Sequence, residues 1–257
     1  MRRTAAALLV AALAASCTSA PGSEAPAPNA AASPSTAPGS TDAATDAPVA
    51  DPESEPVRMR FAGRVTEIPA AVRREMRGTT WKPGCPVPLS DLRLLRFNHW
   101  GFDGVVKRGP MVVHEDVADD VLWAFRQLFD ARFPIRRVAL AREFVPEEFE
   151  PRISSRRSVT AAFNCRTVVT PLGPGESFSQ HAYGLAIDIN PVQNPFVLAD
   201  GFVRNRMARP YVDRSRDLPG MIRDGDGVVR SFEAIGWSWG GRWNGGKDYM
   251  HFSRTGR

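Results

Sequence analysis

Four histidines occur in the 257-residue chain, and two of them stand beside acids in patterns that could do chemistry. In SFSQHAYGLAIDINP, residues 177–191, His181 precedes Asp188 by seven positions, with small and apolar residues between them. Near the C-terminus, DYMHF places Asp248 three positions before His251. A catalytic zinc takes three protein ligands from His, Asp, Glu or Cys and keeps one position open for water. His181, Asp188 and His251 make up such a set. An ion held there would lower the pKa of water from about 15.7 toward about 7. Hydrolysis then needs a base to take the proton, and Asp248 is close enough in sequence to reach over the metal. Spacing alone also fits a turn followed by an ordinary buried strand, and a two-His, one-carboxylate set equally suits non-haem iron. His99, in FNHWGF, and His114, near a predicted helix start, read as structural.

The elements that must position these residues are short. GLAIDIN (184–190) is a predicted strand carrying Asp188, and DYMHFS (248–253) a closing strand carrying His251. The clearest helix lies in HEDVADDVLWAFRQLFDARFPI, where Val117, Val121, Phe125 and Phe129 recur every four positions. Acids at Glu115, Asp116, Asp119 and Asp120 complement its dipole, and Pro134 stops it. IRRVALAREF (135–144) and VTAAFNCRTVV (159–169) are further predicted strands. Residues 78–110, with WKPGCPVPL, are expected to form loops and short strands. Residues 191–231 are irregular, with a short helix before GWSWGG. Strands and helices are segregated, so the expected class is α+β with an antiparallel sheet.

MRRTAAALLVAALAASC (1–17) reads as a secretion signal whose apolar run is too short for the about 20 residues of a spanning helix. Small residues before Cys17 look like the lipobox of bacterial lipoproteins, which implies a lipid anchor at Cys17 and an extracytoplasmic, membrane-attached or secreted protein. Lipidation of Cys17 leaves Cys85 and Cys165 as a candidate disulfide pair in an oxidising compartment. Residues 18–57 hold almost only Ala, Pro, Ser, Thr, Gly and acids, a composition that cannot offset its ordering entropy by burial and is expected to be a disordered tether. Without these two segments, residues 58–257 carry 31 bases and 22 acids, a net charge of +9, and form one domain. Such a domain suits an anionic partner such as a cell wall or lipid surface. It has no nucleic-acid motif, and a monomer is expected.

Ser179-Gln-His181-Ala-Tyr-Gly184-Leu-Ala186-Ile-Asp188 fits the pattern S-x-H-x-x-G-x-A-x-D. It resembles the motif of the zinc D-alanyl-D-alanine carboxypeptidase and L-alanyl-D-glutamate endopeptidase family. The later GW-x-WGG-x-W…D-x-x-HF, from Gly236 to Phe252, is similar to that family's second motif, and the resemblance covers residues 80–253, with its core motifs in 159–253. It implies a fold of the Hedgehog signalling-domain type, a central antiparallel sheet with flanking helices. It also implies that His181, Asp188 and His251 bind zinc and that Asp248 is the general base. Family members carry an oxyanion-stabilising arginine upstream of the first histidine. Arg166, in TAAFNCR, aligns best, with Arg152, Arg156 and Arg157 as alternatives. Ser179 fits the family serine that contacts substrate, or a turn hydroxyl. Trp237, Trp239 and Trp243 either wall the cleft or belong to the core. Asn194 and Pro195, in NPVQNPF, are expected to turn the chain after the metal strand.

The resemblance implies a zinc metallopeptidase acting on peptidoglycan stem peptides. Family carboxypeptidases that destroy the D-alanyl-D-alanine dipeptide have glutamate at the base position, so Asp248 is more like the endolysin type that cuts L-alanyl-D-glutamate. A non-catalytic, zinc-containing wall-binding domain on the same fold is the alternative from another class. Against it, every ligand and the base are present.

Overall fold

The computed structural model describes residues 59–141, 158–170 and 173–256, all within a unit spanning Pro56–Arg257. The signal and tether segments, Cys17, Arg152, Arg156 and Arg157 lie outside the described residues. The strand β1 (Gly63–Glu67) and helix α1 (Ala70–Met76) lead through turns to a long hairpin, β2 (Leu92–Trp100) and β3 (Val106–His114). This hairpin corrects the expectation of loops and short strands over 78–110. LRLLRFNHW and VKRGPMVVH pair along nine positions, from Leu92↔His114 to Trp100↔Val106. Two supposed breakers have other uses here. Gly104, at φ +70°, sits in the hairpin turn, and Pro110 occupies an edge strand, where a missing N–H is tolerated.

Helix α2 (Ala118–Asp130) follows, preceded by a 3-10 turn at Glu115–Val117. Its stripe is as predicted: Val117, Val121, Phe125 and Phe129 are all buried. The strands β4 (Arg137–Val138) and β5 (Val159–Thr160) pair in parallel, while β6 (Thr167–Thr170) and β7 (Gly173–Phe178) pair antiparallel. The predicted strand over 135–144 is thus reduced to two residues, with 142–144 outside the described ones, and that over 159–169 is split in two. Then come β8 (Ala186–Asp188), β9 (Phe196–Val197), α3 (Gly227–Glu233), β10 (Ser238–Trp239), β11 (Lys247–Asp248) and β12 (His251–Ser253). The three-stranded sheets run β1-β2-β3 and β10-β12-β8, and β9 pairs with β11. The class is α+β, with several small sheets in place of one large one.

A chain of aromatic rings connects the hairpin to the C-terminal strands. Phe97 of β2 stacks on Phe125 of α2 (4.5 Å), Phe125 meets Phe232 of α3 edge-on (6.0 Å), and Phe232 stacks on Phe252 of β12 (4.4 Å). All four are buried, and such contacts contribute on the order of 1 kcal/mol each beyond burial. Phe252 therefore pins β12 to the core, which fixes the position of its neighbour His251. A second cluster under α1 and β2 contains Cys165, which is bonded to Cys85 as the cysteine count suggested, with Cα atoms 5.8 Å apart. Among the described residues no helix is long and apolar enough to cross a membrane.

Candidate metal centre

His181 lies in a 3-10 turn, Gln180–Tyr183, whose two ends are chemically specified. At its start the His181 N–H donates to Ser179 Oγ at 3.3 Å. At its end Gly184 adopts φ +69°, and a Cβ there would stand 2.5 Å from the backbone nitrogen of His114. Only glycine fits that position, and its carbonyl accepts from the His114 N–H at 3.1 Å, docking the turn on the end of β3. His114 itself accepts from the Asp116 N–H at 3.2 Å, a capping role, and His99 is buried beside the Trp100 carbonyl. Both are structural, as expected.

The ring of His181 is oriented by a residue without any polar side chain. Its Nδ1 is 2.7 Å from the carbonyl oxygen of Ala162, which can only accept, so Nδ1 carries the proton and Nε2 the free lone pair. Nε2 stands 3.2 Å from Asp188 Oδ2, an ion-pair distance without hydrogen-bond geometry. Asp188 and His251 are directly paired across β8 and β12, so their side chains leave the sheet on one face. His251 Nδ1 is 3.1 Å from Asp188 Oδ1, and its buried Nε2 has no hydrogen-bond partner among the described residues. One ligand atom from each of the three residues can be chosen so that all lie within 4.8 Å of one another.

The arrangement fits a zinc ion. Two imidazoles and one carboxylate are a donor set that a zinc ion takes, and one ligand atom from each lies close enough to the others to share an ion. The Ala162 carbonyl is then the outer partner that holds a ligating imidazole in one tautomer.

Asp248 is held at this site by close backbone packing. A Cβ on Gly240 would come within 2.6 Å of the Asp248 carbonyl oxygen, 3.0 Å of the Asp248 Cβ and 3.3 Å of the His251 Cβ. Glycine thus lets the turn after β10 close over both residues. The two carboxyl groups respond oppositely to one environment. Burial would raise Asp188, but the two histidine rings beside it outweigh burial and hold this carboxyl well below its ordinary value. Burial and the charge of Asp188 push Asp248 up to about 7, against the opposing pull of His251, Arg166 and the Met250 N–H. Its Oδ1 is buried without a hydrogen-bond partner among the described residues. Two carboxyl groups driven apart in this way are suited to a ligand role and an acid–base role respectively.

Arg166 is half-buried and donates to the Thr167 carbonyl at 3.2 Å, and its charge reaches Asp248. Its carbonyl accepts from the Ser179 N–H at 3.0 Å, which ties the arginine's segment to the start of the histidine turn. The described contact of the Ser179 hydroxyl is the turn cap. Trp237 and Trp239 are buried in the core, whereas the half-buried Trp243 has its ring centroid 5.3 Å from that of His251. Asn194 is fully buried, donating to the carbonyls of Ile189 (3.0 Å) and Gly220 (2.9 Å) and accepting from the Ile222 N–H (2.7 Å). It turns the chain after β8, as expected. Ala162 and Gly240 were not singled out by sequence reasoning. A backbone carbonyl has no residue signature, and a second glycine in WGG marks a close approach without saying to what.

Residues 173–254 match a family model described as D-alanyl-D-alanine carboxypeptidase. The matched stretch contains Ser179, His181, Asp188, Asp248 and His251, and leaves out Arg166 and both disulfide cysteines. No curated protein and no solved structure matches the chain. The family likeness supports a peptidase, and the His181, Asp188, His251 cluster supplies a site that could hold its metal.

Proposed function

We propose that this chain is a zinc-dependent peptidase that hydrolyses peptide bonds in peptidoglycan stem peptides, on a domain of the Hedgehog type. The observation that carries the reading is the convergence of His181, Asp188 and His251 on one point, beside a carboxyl group whose surroundings favour proton transfer near neutral pH. Zinc bound by those three residues would supply Lewis acidity and make water nucleophilic near pH 7. Asp248 takes the proton from the attacking water and later returns it to the departing amine. Arg166, whose charge reaches the same carboxylate, faces the negative charge that develops on the carbonyl oxygen. The basic surface of residues 58–257 would favour an anionic wall, and a lipid at Cys17 with the 18–57 tether would let an anchored enzyme reach it.

Metal analysis of the purified protein, joined to mass analysis of digested stem peptides, tests this reading. One zinc per chain is expected, together with a hydrolysis product that is lost on chelation and regained with zinc. Absence of stoichiometric zinc, or a zinc-loaded protein that binds stem peptides without cutting them, overturns it. The product masses also identify the bond. Loss of one alanine mass means carboxypeptidase action, and release of a peptide that begins at D-glutamate means cleavage at L-alanyl-D-glutamate.

A further inference from the structure

Phe196 is the cross-strand neighbour of Asp248. The register of β9 with β11 sets Asp248 opposite Phe196 and Lys247 opposite Val197. Directly opposed residues leave a strand pair on the same face, with Cβ atoms about 4.5–5.5 Å apart. A second contact gives the same face. The Phe196 ring lies 3.6 Å from where a Cβ of Gly246 would stand, and Gly246 is two residues from Asp248, so both point to one side. Alternation sends Val197 the other way, into a buried cluster with Val203 and Ala208, and leaves Phe196 with 42 % of its surface open. Lys247, the adjacent base, belongs to the face opposite Phe196, and its Nζ donates to the Trp243 carbonyl at 2.6 Å.

We propose that Phe196 is a specificity residue whose open ring receives the small apolar side chain of the residue that carries the departing amine. This rests on the peptidase reading. A carboxyl group that protonates the departing nitrogen must sit next to it. The side chain on that residue then falls within reach of the group directly across the strand pair. A methyl group is matched by an aromatic face. A side chain ending in carboxylate would be dehydrated against the ring, beside the like charge of Asp248. Phe196 thus favours alanine over glutamate on the leaving side.

The test uses the zinc-loaded full chain and two stem peptides, one ending D-Ala-D-Ala and one ending D-Ala-Gly. Burial of one methyl group on a half-open ring predicts a kcat/KM preference for alanine of about four-fold in the wild type. Phe196→Ala should abolish that preference with zinc content unchanged, and Phe196→Leu should keep most of it. Phe196→Gln, which preserves bulk but not apolar surface, should lose it as well and serves if the alanine variant does not fold. An undiminished preference in Phe196→Ala or Phe196→Gln overturns the assignment and leaves the peptidase reading intact. Wild-type cleavage solely at the L-alanyl-D-glutamate bond does the same. Failure of the zinc-loaded wild type to cut any stem peptide overturns both.

Discussion

Replacing Asp248 by asparagine should abolish turnover while stabilising the metal-free protein, and the size of the second effect follows from the site. Burial and the negative charge of Asp188 raise Asp248 from 3.8 to about 7. Between those values the folded chain holds a proton that the unfolded chain has released, so metal-free stability falls as pH rises through this window. The penalty is nearly absent below about pH 4 and complete above about pH 7. Three pKa steps at about 1.36 kcal/mol each set a ceiling of about 4 kcal/mol. Asparagine cannot ionise and escapes the penalty. At about 2–4 °C per kcal/mol for a unit of this size, metal-free Asp248→Asn should melt above wild type near pH 8 by at most about 8–16 °C, and about level with it near pH 4. Turnover should drop by about 10²–10⁴ with zinc content retained, the ordinary cost of losing a general base. Calorimetry at both pH values and single-turnover assays provide the measurements. A melting difference that does not depend on pH would refute the electrostatic account of Asp248, and full activity would remove it as base.

Three further outcomes can be checked directly. Gly240→Ala drives a methyl group against the Asp248 carbonyl and the Cβ atoms of Asp248 and His251; a loss of about 1–3 kcal/mol in denaturant melts is expected, with a fall in kcat beyond what stability explains. Arg166→Ala should lower kcat by about 10²–10³ and leave zinc content unchanged, whereas Arg152→Ala, Arg156→Ala and Arg157→Ala should each leave kcat near wild type; the reverse pattern would move the oxyanion role to one of them. Cys85→Ala paired with Cys165→Ala opens a loop of 80 residues and should cost up to about 4.5 kcal/mol in urea unfolding, with zinc affinity little changed because neither cysteine touches the metal cluster.

Much of the site was legible in the chain because its parts are chemically rare and locally patterned. Four histidines leave few ways to build a ligand set, and S-x-H-x-x-G-x-A-x-D contains a turn cap, a glycine that must adopt positive φ and a strand residue in consecutive order. The α2 stripe was legible for a similar reason, since a four-residue recurrence is a property of one segment. The β2–β3 hairpin was missed because glycine and proline mark a turn and an edge strand as readily as a loop, and only the pairing partner shows which. The same holds for the function of side chains that chemistry does not single out. Ala162 orients His181 through a carbonyl that every residue owns, and Phe196 gained its place through a register. The sequence by itself determined which groups could bind a metal and carry a proton. The tertiary structure decided that β12 pairs with β8 at His251↔Asp188 and β11 with β9 at Asp248↔Phe196. Strands find each other through backbone N–H and C=O groups that are alike at every position, so distant registers are selected by the packing of the whole core, as Phe252 shows beneath His251.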